Sequence, residues 1–253
     1  MLSREIWVRY QSFEKLEQAE ESDAWLSDAE RRECERYRDE SRMRQWRAGR
    51  RLAKKLLSEQ LVPWTVDLSE IEILSRDDQG RAVRPEVRIQ GKPKPWCVSI
   101  SHSYRGVLVG ISLNPRIQVG VDLAEKEELN PHSLVFWFSG RERQRLREAG
   151  ARPAAVSWAV KEAVYKAINL GESFVPKKFE VFPRELGGYE CRHEGKSLKD
   201  RSRISVWDVD DHVAVTAVVA NSPEALLQVP RIGGKTRKEV ESSRQENILV
   251  GIS

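Results

Sequence analysis

Three apolar runs in the middle of the chain constrain the fold most. They are WCVSIS (96–101), GVLVGIS (106–112) and IQVGVDL (117–123). Only four residues separate the first run from the second, so this pair predicts a β-hairpin. Asn114-Pro115 marks a turn before the third run, which predicts another strand. The chain must therefore build a sheet around residues 96–123.

Two long helices are predicted, one before these strands and one after them. In the later helix, from about Ala154 to Asn169, the predicted packing face is Val156, Val160, Ala163, Val164 and Ala167. The earlier helix lies in RMRQWRAGRRLAKKLLSEQL (42–61). Its apolar positions recur at helical spacing, and five basic residues fall largely on another face: Arg44, Arg47, Arg51, Lys54 and Lys55. Ser27, followed three residues later by Glu30, predicts a helix start upstream.

A strand, a hairpin and a long helix recur in both halves of the chain, although no exact sequence repeat is present. We therefore predict an α+β protein with two similar α/β halves in tandem, related by a pseudo-two-fold. Each half is expected to pack a small, mostly antiparallel sheet on a long helix. The predicted divisions are 1–116 for the N-terminal half, 117–222 for the C-terminal half and 223–253 for a mobile tail.

Composition favours a cytoplasmic protein. Of the 253 residues 32% are charged, and no apolar run approaches the roughly 20 residues that cross a bilayer. Three widely spaced cysteines suit a reducing compartment and show no zinc spacing. The net charge is only +4, but the segment 31–55 holds eleven Lys/Arg against four Asp/Glu. That local excess predicts a polyanionic ligand: nucleic acid, a phosphorylated cofactor or an acidic protein.

Two acidic positions are candidates for a magnesium site. Asp122 ends an apolar strand, and Glu162 lies on the later helix with Lys161 beside it and Lys166 four residues on. Magnesium binds through one or two carboxylates together with phosphates and water, and lysines can neutralise phosphate oxygens. Taken singly, Asp122 is more simply a turn residue and Glu162–Lys166 a surface ion pair.

The segment SISHS (99–103) places a histidine between two hydroxyl groups at the end of an apolar strand. A lone histidine is more often structural than functional. Ser101, His102 and Ser103 together form a polar cluster that could donate several hydrogen bonds to one phosphate. Neither this cluster nor the acidic pair is specific alone, but their order and spacing are.

The succession SISHS, VGVD (119–122) and WAVKEAVYK (158–166) resembles the 4′-phosphopantetheinyl transferase superfamily, and the chain length suits its larger, monomeric two-half type. The resemblance runs from the basic N-terminal region to about residue 220. It implies Mg²⁺-dependent transfer of the phosphopantetheine arm of coenzyme A to a serine of an acidic apo carrier protein, with release of 3′,5′-ADP. Coenzyme A would bind between the halves, and neither nucleic acid nor a membrane is an expected partner.

The resemblance also implies roles for particular residues. Asp122 and Glu162 would hold the metal, Glu162 would accept the serine proton directly or through a metal-bound water, and Lys166, assisted by Lys161, would stabilise the leaving phosphate. Ser101 and His102 would bind phosphates of coenzyme A, and Arg81 would face its nucleotide end. For the 3′-phosphate several arginines stay open: Arg36, with Arg31 and Arg32 close by, and Arg44 and Arg47.

The chain departs from the family pattern at Ala124 and Ala82, and also in the N-terminal region, where relatives often place lysines and this chain has Glu30 and Glu33. Relatives of the larger type commonly carry a third metal-binding glutamate two residues after the aspartate, where this chain has Ala124. Glu125 comes one residue later and, in a strand, would point to the opposite face. A Gly-Lys-Pro segment of the family corresponds to Gly80-Arg81-Ala82, which lacks the proline. The first departure motivates a second hypothesis, a relative that binds coenzyme A or a carrier protein without catalysis.

A basic nucleic-acid-binding protein is the third hypothesis, because of the charge excess in 31–55. The basic face lacks interleaved aromatic residues and matches no DNA- or RNA-binding signature. An acidic carrier protein is a simpler partner for the same surface.

Overall fold

The computed structural model describes residues 6–14, 23–61, 66–77, 79–126, 131–147, 151–168, 171–185 and 187–227. The strands of these residues are β1 (Ile6–Ser12), β2 (Ile71–Arg76), β3 (Ala82–Ile89), β4 (Lys92–Lys94), β5 (Cys97–His102), β6 (Gly106–Ser112), β7 (Ile117–Glu125), β8 (Phe179–Pro183), β9 (Tyr189–His193), β10 (Lys196–Ser197), β11 (Ser202–Val209) and β12 (His212–Ala220). The α-helices are α1 (Asp28–Cys34), α2 (Glu40–Gln60), α3 (Pro131–Trp137), α4 (Gly140–Leu146), α5 (Ala151–Ile168) and α6 (Pro223–Leu227). Short 3₁₀ helices lie at Asp23–Trp25, Leu68–Glu70 and Pro176–Lys178.

Two central antiparallel sheets organise the molecule. One has the strand order β1-β6-β5 and the other β11-β12-β7, and smaller sheets, β2-β3-β4 and β10-β9-β8, lie beside them. The core of the first half joins α2 to β2, β3, β5 and β6, and the core of the second joins α5 to β8, β9 and β12. The predicted α+β class, with small antiparallel sheets packed on long helices, is confirmed. The residue boundaries between the halves stay a prediction.

Helix α2 begins where the side chain of Asp39 accepts a hydrogen bond from the backbone N–H of Arg42, at 2.7 Å. Its predicted apolar positions are all buried: Trp46, Gly49, Ala53, Leu56 and Leu57. The prediction for Lys54 is wrong, because this lysine points into the protein and is fully buried. A buried acceptor decides its direction, since Lys54 pairs with Glu30, the residue that closes the capping box of Ser27 on α1.

Helix α5 begins at Ala151, three residues before the predicted start. Its predicted packing face is fully buried against β7 and β12, as the spacing of its apolar residues required. The helix comes very close to β7 at Gly120, where a Cβ would lie 1.9 Å from the carbonyl oxygen of Ala163. Only glycine permits this approach.

Strands β5 and β7 join the two halves through side chains. The N–H groups of Val119, Val121 and Leu123 donate to the side chains of Cys97, Ser99 and Ser101, at 3.3, 3.0 and 3.2 Å. Alternate residues of a strand point to the same side, so this spacing of two lets each β5 side chain meet one β7 amide. The seam places Ser101 directly beside Asp122.

The segment expected to be a mobile tail begins with a short helix. Its first five residues form helix α6, with Leu226 buried. The mobility of the segment stays a prediction. Residues 228–253, and Asn169 at the predicted end of the later helix, lie outside the described residues. No helix in the described part of the chain has both the length and the apolarity to span a membrane.

Candidate active site

Asp122, Glu162 and Lys166 form one cluster between β7 and α5. The Lys166 ammonium lies 2.7 Å from Asp122 Oδ1 and 3.3 Å from Glu162 Oε2, so a single cation bridges two carboxylates. Asp122 is buried, whereas the side chains of Glu162 and Lys166 are 24% and 26% exposed. The cluster therefore has a buried side that fixes it and an open side that a ligand can reach.

The backbone dictates this convergence. Glu162 and Lys166 are one helical turn apart on α5 and share a face. Asp122 is two residues beyond Gly120, where the strand touches that helix most closely. Ser101 then orients the carboxylate, because its hydroxyl donates to Asp122 Oδ1 at 2.9 Å and accepts from the N–H of Leu123.

The charge of Lys166 compensates only part of the burial and mutual repulsion of the two carboxylates, Asp122 and Glu162. Burial raises the pKa of Glu162 above its ordinary value; Lys166 opposes this shift, and the charge of Asp122 adds to it. Burial works against the charge of Lys166, but Asp122 and then Glu162 still raise the pKa of this lysine. Additional positive charge at this place would stabilise both carboxylates.

The raised pKa of Glu162 predicts a pH-dependent stability difference between the wild type and Glu162→Gln, measured by urea unfolding in EDTA. A group whose folded pKa is raised contributes stability below its unfolded pKa and loses that contribution as pH rises through the folded value. We therefore expect the stability of Glu162→Gln relative to the wild type to increase from about pH 4 to pH 8. If the free energy of unfolding of Glu162→Gln relative to the wild type stayed constant or decreased over this range, the raised pKa of Glu162 would be contradicted.

The two carboxylates fit a magnesium ion. Their oxygens are hard donors, and magnesium commonly takes only one or two protein carboxylates beside phosphate oxygens and water. No group of three potential metal-binding side chains occurs among the described residues. Ala124 lies on the same face of β7 as Asp122 and packs into the core against α5, whereas Glu125 lies on the other face. Among the described residues, a site here therefore has two protein carboxylates, those of Asp122 and Glu162.

Lys161 lies outside this cluster, contrary to the role expected for it. Its side chain is 0% exposed, and its ammonium donates to Glu142 Oε2 at 2.8 Å and to two backbone carbonyls, those of Trp137 and Pro176. Adjacent residues on a helix point about 100° apart. Lys161 thus faces the interior when Glu162 faces the cleft, and its ammonium is not available to a phosphate.

Ser101 and His102 point to opposite sides of β5, as neighbours in a strand do. The Ser101 hydroxyl already donates to Asp122 and accepts from the N–H of Leu123. It therefore orients a carboxylate and does not bind a phosphate. Burial lowers the pKa of His102, and the charges of Lys166 and Arg42 lower it further. His102 is therefore a neutral imidazole at neutral pH, able to donate one hydrogen bond.

Of the arginines considered for the 3′-phosphate, the structure brings Arg36 next to the Gly80 turn. A Cβ on Gly80 would lie 2.6 Å from Nη1 of Arg36, and Arg76 donates to the Gly80 carbonyl at 2.8 Å. Arg81 follows in the same turn, is 70% exposed and pairs with Asp77 at 2.7 Å. Arg36, Arg76 and Arg81 thus form one basic group; the sequence had indicated Arg36 and Arg81 separately and had not indicated Arg76.

Arg44 and Arg47 are placed differently. The guanidinium of Arg44 lies 5.6 Å from the centre of the Phe13 ring, and Arg47 forms a bidentate ion pair with Asp23. Arg42, on the first turn of α2, was not among the candidates, yet its charge reaches His102. Its position follows from the packing of α2 on β5, and no local sequence signal marks it.

An open cavity of about 470 Å³ adjoins the cluster. Lys166 and Tyr165 of α5 line it on one side, Ala82 to Pro85 of β3 on the other, and Val98 and Ile100 of β5 between them. It lies between the two halves and connects Lys166 to the strand that follows the Gly80 turn. Arg84 also lines it and donates to the thiol of Cys97 at 2.6 Å; sequence reasoning had not considered this arginine.

Because Ser101 donates a hydrogen bond to Asp122, we expect Ser101→Ala to lower metal affinity or activity, and Ser99→Ala to leave both unchanged. Both substitutions leave a β7 amide without its acceptor and should each destabilise by about 1–2 kcal/mol. Only Ser101 also holds the carboxylate, and loss of such an orienting partner typically weakens metal affinity or activity by about 10–100-fold. Unfolding measurements and transfer rates on the two variants check this, and equal rates would contradict it.

Comparison with known proteins agrees with this geometry. Residues 118–218 match the family model of the ACPS 4′-phosphopantetheinyl transferase superfamily. The match includes the whole cluster of Asp122, Glu162 and Lys166. It supports a transferase, and the length of 253 residues together with the paired central sheets is consistent with the two-half type.

Two solved structures from Chronobacterium ammoniagenes, an ACPS–CoA complex and an apo-ACPS, are similar over 41% of this chain and 96% and 95% of theirs. Each has 22% sequence identity and a TM-score of 0.33. No curated protein matches the sequence.

Proposed function

We propose that this protein is a Mg²⁺-dependent 4′-phosphopantetheinyl transferase that moves the phosphopantetheine arm of coenzyme A to a serine of an apo carrier protein and releases 3′,5′-ADP. The observation that carries the proposal is the pair of carboxylates, Asp122 and Glu162, joined by Lys166 at the edge of a cleft between the halves. The family match over the same residues supports it.

The residues suit transfer at a phosphate centre, where catalysis consists largely of positioning and charge neutralisation. A magnesium ion bound by Asp122 and Glu162 would neutralise diphosphate oxygens. Lys166 is the cation beside those carboxylates and would stabilise the departing 3′,5′-ADP phosphate. His102, neutral and near Lys166, would donate a hydrogen bond to a phosphate oxygen. The reaction breaks the bond between the phosphorus and the ADP oxygen and forms one to the serine oxygen.

Glu162 would accept the serine proton, directly or through a bound water. A base works best when its pKa approaches the working pH, and burial together with Asp122 raises the pKa of this glutamate. It is also a reachable carboxylate of the cluster, because it remains partly exposed whereas Asp122 is buried.

The basic group of Arg36, Arg76 and Arg81 would bind the nucleotide end of coenzyme A, including its 3′-phosphate. All three surround one turn, and the cavity begins at Ala82, the next residue of the chain. A planar guanidinium is suited to bidentate phosphate recognition. Exposed arginines in α1, α2 and α4 favour an acidic carrier protein as the second substrate. A monomer and a cytoplasmic location remain predictions.

The test is incubation with coenzyme A, Mg²⁺ and a panel of apo carrier proteins, followed by mass spectrometry. The expected result is a mass gain of one phosphopantetheine arm, prevented by EDTA and by replacement of the carrier serine with alanine. Absence of a gain with every carrier protein would overturn the proposal.

A relative that binds without catalysis is the second candidate, and Ala124 favours it. A methyl group packed in the core occupies the position where relatives of the larger type commonly carry a third carboxylate. Calorimetry separates the two hypotheses: Mg²⁺-dependent binding of coenzyme A without transfer supports the second, whereas transfer to any carrier protein rules it out.

A further inference from the structure

Among the described residues, each half of the molecule contains the same buried device, an ion pair between a lysine of the long helix and a glutamate that closes a helix capping box. In the N-terminal half, Lys54 pairs with Glu30, both side chains being 0% exposed, and donates to the carbonyl of Trp25 at 2.8 Å. Glu30 also closes the capping box of Ser27 and accepts from the backbone N–H of Ile73 on β2, at 3.0 Å. One carboxylate thus joins a helix start, a lysine of the long helix and a strand.

The C-terminal half repeats these contacts. Lys161 pairs with Glu142, again with both side chains fully buried, and donates to the carbonyl of Trp137 at 2.8 Å. Glu142 closes the capping box of Ser139 and accepts from the N–H of Val181 on β8, at 2.9 Å. The structure thereby aligns two short segments, WLSDAE (25–30) and WFSGRE (137–142), whose likeness is too brief to be read as a repeat in the sequence alone.

The residues that follow the two lysines differ. Lys54 is followed by Lys55 and, five positions on, by Glu59, which pairs with Arg9 of β1 at 2.6 Å. Lys161 is followed by Glu162 and, five positions on, by Lys166, which pairs with Asp122 of β7. The buried device is shared, but in the C-terminal half the residue after the lysine, Glu162, joins Lys166 and Asp122 in the candidate site.

We propose that Lys161 and Glu142 are positioning residues that set the direction of Glu162 toward the cleft. Their ion pair, with the carbonyls of Trp137 and Pro176, fixes α5 to the start of α4, the end of α3 and the turn before β8. Rotation of α5 about its axis would break these bonds. Since Glu162 is the next residue, holding Lys161 inward fixes the angle at which Glu162 meets Asp122. The catalytic part of this inference rests on the proposed function.

The first test measures the pKa of Glu162 by carboxylate NMR in metal-free protein and does not depend on transfer. Lys161→Met and Glu142→Gln change the buried charge in opposite directions. A through-space effect would therefore shift this pKa in opposite directions, whereas loss of positioning exposes Glu162 to water and lowers it toward the ordinary glutamate value in both. Lys161 is not among the charges that shift Glu162 in the wild type. Lys54→Met and Glu30→Gln, the matched controls, should leave the pKa unchanged.

The second test measures transfer kinetics at a temperature where all four variants are folded. We expect Lys161→Met and Glu142→Gln to lower kcat by at least about tenfold with KM for coenzyme A within about twofold, because the geometry at the reacting centre changes while the nucleotide end does not. Lys54→Met and Glu30→Gln should keep kcat within about twofold. Glu142→Gln keeps an oxygen that can accept from the N–H of Val181, so this variant tests the proposal if Lys161→Met does not fold.

The outcomes separate the two proposals. An unshifted Glu162 pKa, shifts of opposite sign, or equal effects of the N-terminal controls would overturn the positioning role. A wild-type protein without transferase activity would overturn the proposed function, while parallel pKa shifts in Lys161→Met and Glu142→Gln would still establish the positioning of Glu162.

Discussion

Replacing Glu162 with glutamine should lower the rate of phosphopantetheine transfer by about 10²- to 10⁴-fold, the contribution expected of a positioned acid or base. The amide keeps the size of the side chain but removes the charge that would hold Mg²⁺ and accept the serine proton. Because burial and Asp122 already disfavour that charge, the variant should fold at least as well as the wild type at neutral pH. Transfer rates at saturating coenzyme A, together with urea unfolding, check both parts.

Glu125→Gln is the matched control for this prediction. Glu125 is also an acidic residue close to the cluster, but it lies on the face of β7 opposite Asp122. We expect its rate to stay within about twofold of wild type. A loss in Glu125→Gln as large as in Glu162→Gln would show that the third carboxylate takes part after all. More than a tenth of wild-type activity in Glu162→Gln would contradict the role of Glu162.

Gly120→Ala should destabilise the protein by about 3 kcal/mol, at the upper end of the usual effect of overpacking. The new methyl would lie 1.9 Å from the carbonyl oxygen of Ala163 and 2.7 Å from the amide nitrogen of Ala167. Both atoms belong to the backbone of α5, so the whole helix must move away from β7. For a protein of this size the melting temperature should fall by about 6–12 °C.

The same displacement should reduce activity, because α5 carries Glu162 and Lys166 while β7 carries Asp122. Gly140→Ala is the control: apart from its chain neighbours and the backbone of its own helix, the nearest atom to the new methyl is Nη2 of Arg143 at 4.0 Å, and this glycine starts helix α4. Its effect on stability should stay within about 0.5 kcal/mol. Thermal unfolding of the two variants checks the prediction, and equal melting temperatures would contradict the close approach at Gly120.

Much of the fold was predictable because it depends on local patterns. The hairpin of β5 and β6, the strand β7 and the apolar face of α5 each follow from periodicity within a single element. The capping box at Ser27 was also readable, since its two partners are three residues apart. The contacts between β5 and β7 could not be predicted, because no feature of the sequence indicates that Ser99 and Ser101 accept hydrogen bonds from amides of β7.

The site divides in the same way. The sharing of one helix face by Glu162 and Lys166 follows from their spacing of four, and the motif order indicated that Asp122 would join them. Arg42 and Arg76 were missed, because their closeness to His102 and Gly80 depends on how α2 and β2 pack. Ser101 was expected to meet a phosphate, but a buried hydroxyl bonds to the polar group nearest to it, and here that group is Asp122.

Lys161 and Glu162 show most clearly what the sequence determines and what the tertiary structure determines. The sequence alone determined that the two residues lie on one helix, that their side chains diverge by about 100°, and that the helix belongs with SISHS and VGVD. Only the tertiary structure decided which of the two faces the cleft. A lysine can be buried when it has a charged partner and further acceptors, and Glu142 with the carbonyls of Trp137 and Pro176 provides them. Those partners lie 15 to 24 residues from Lys161 and come together only when α3, α4 and β8 pack around α5.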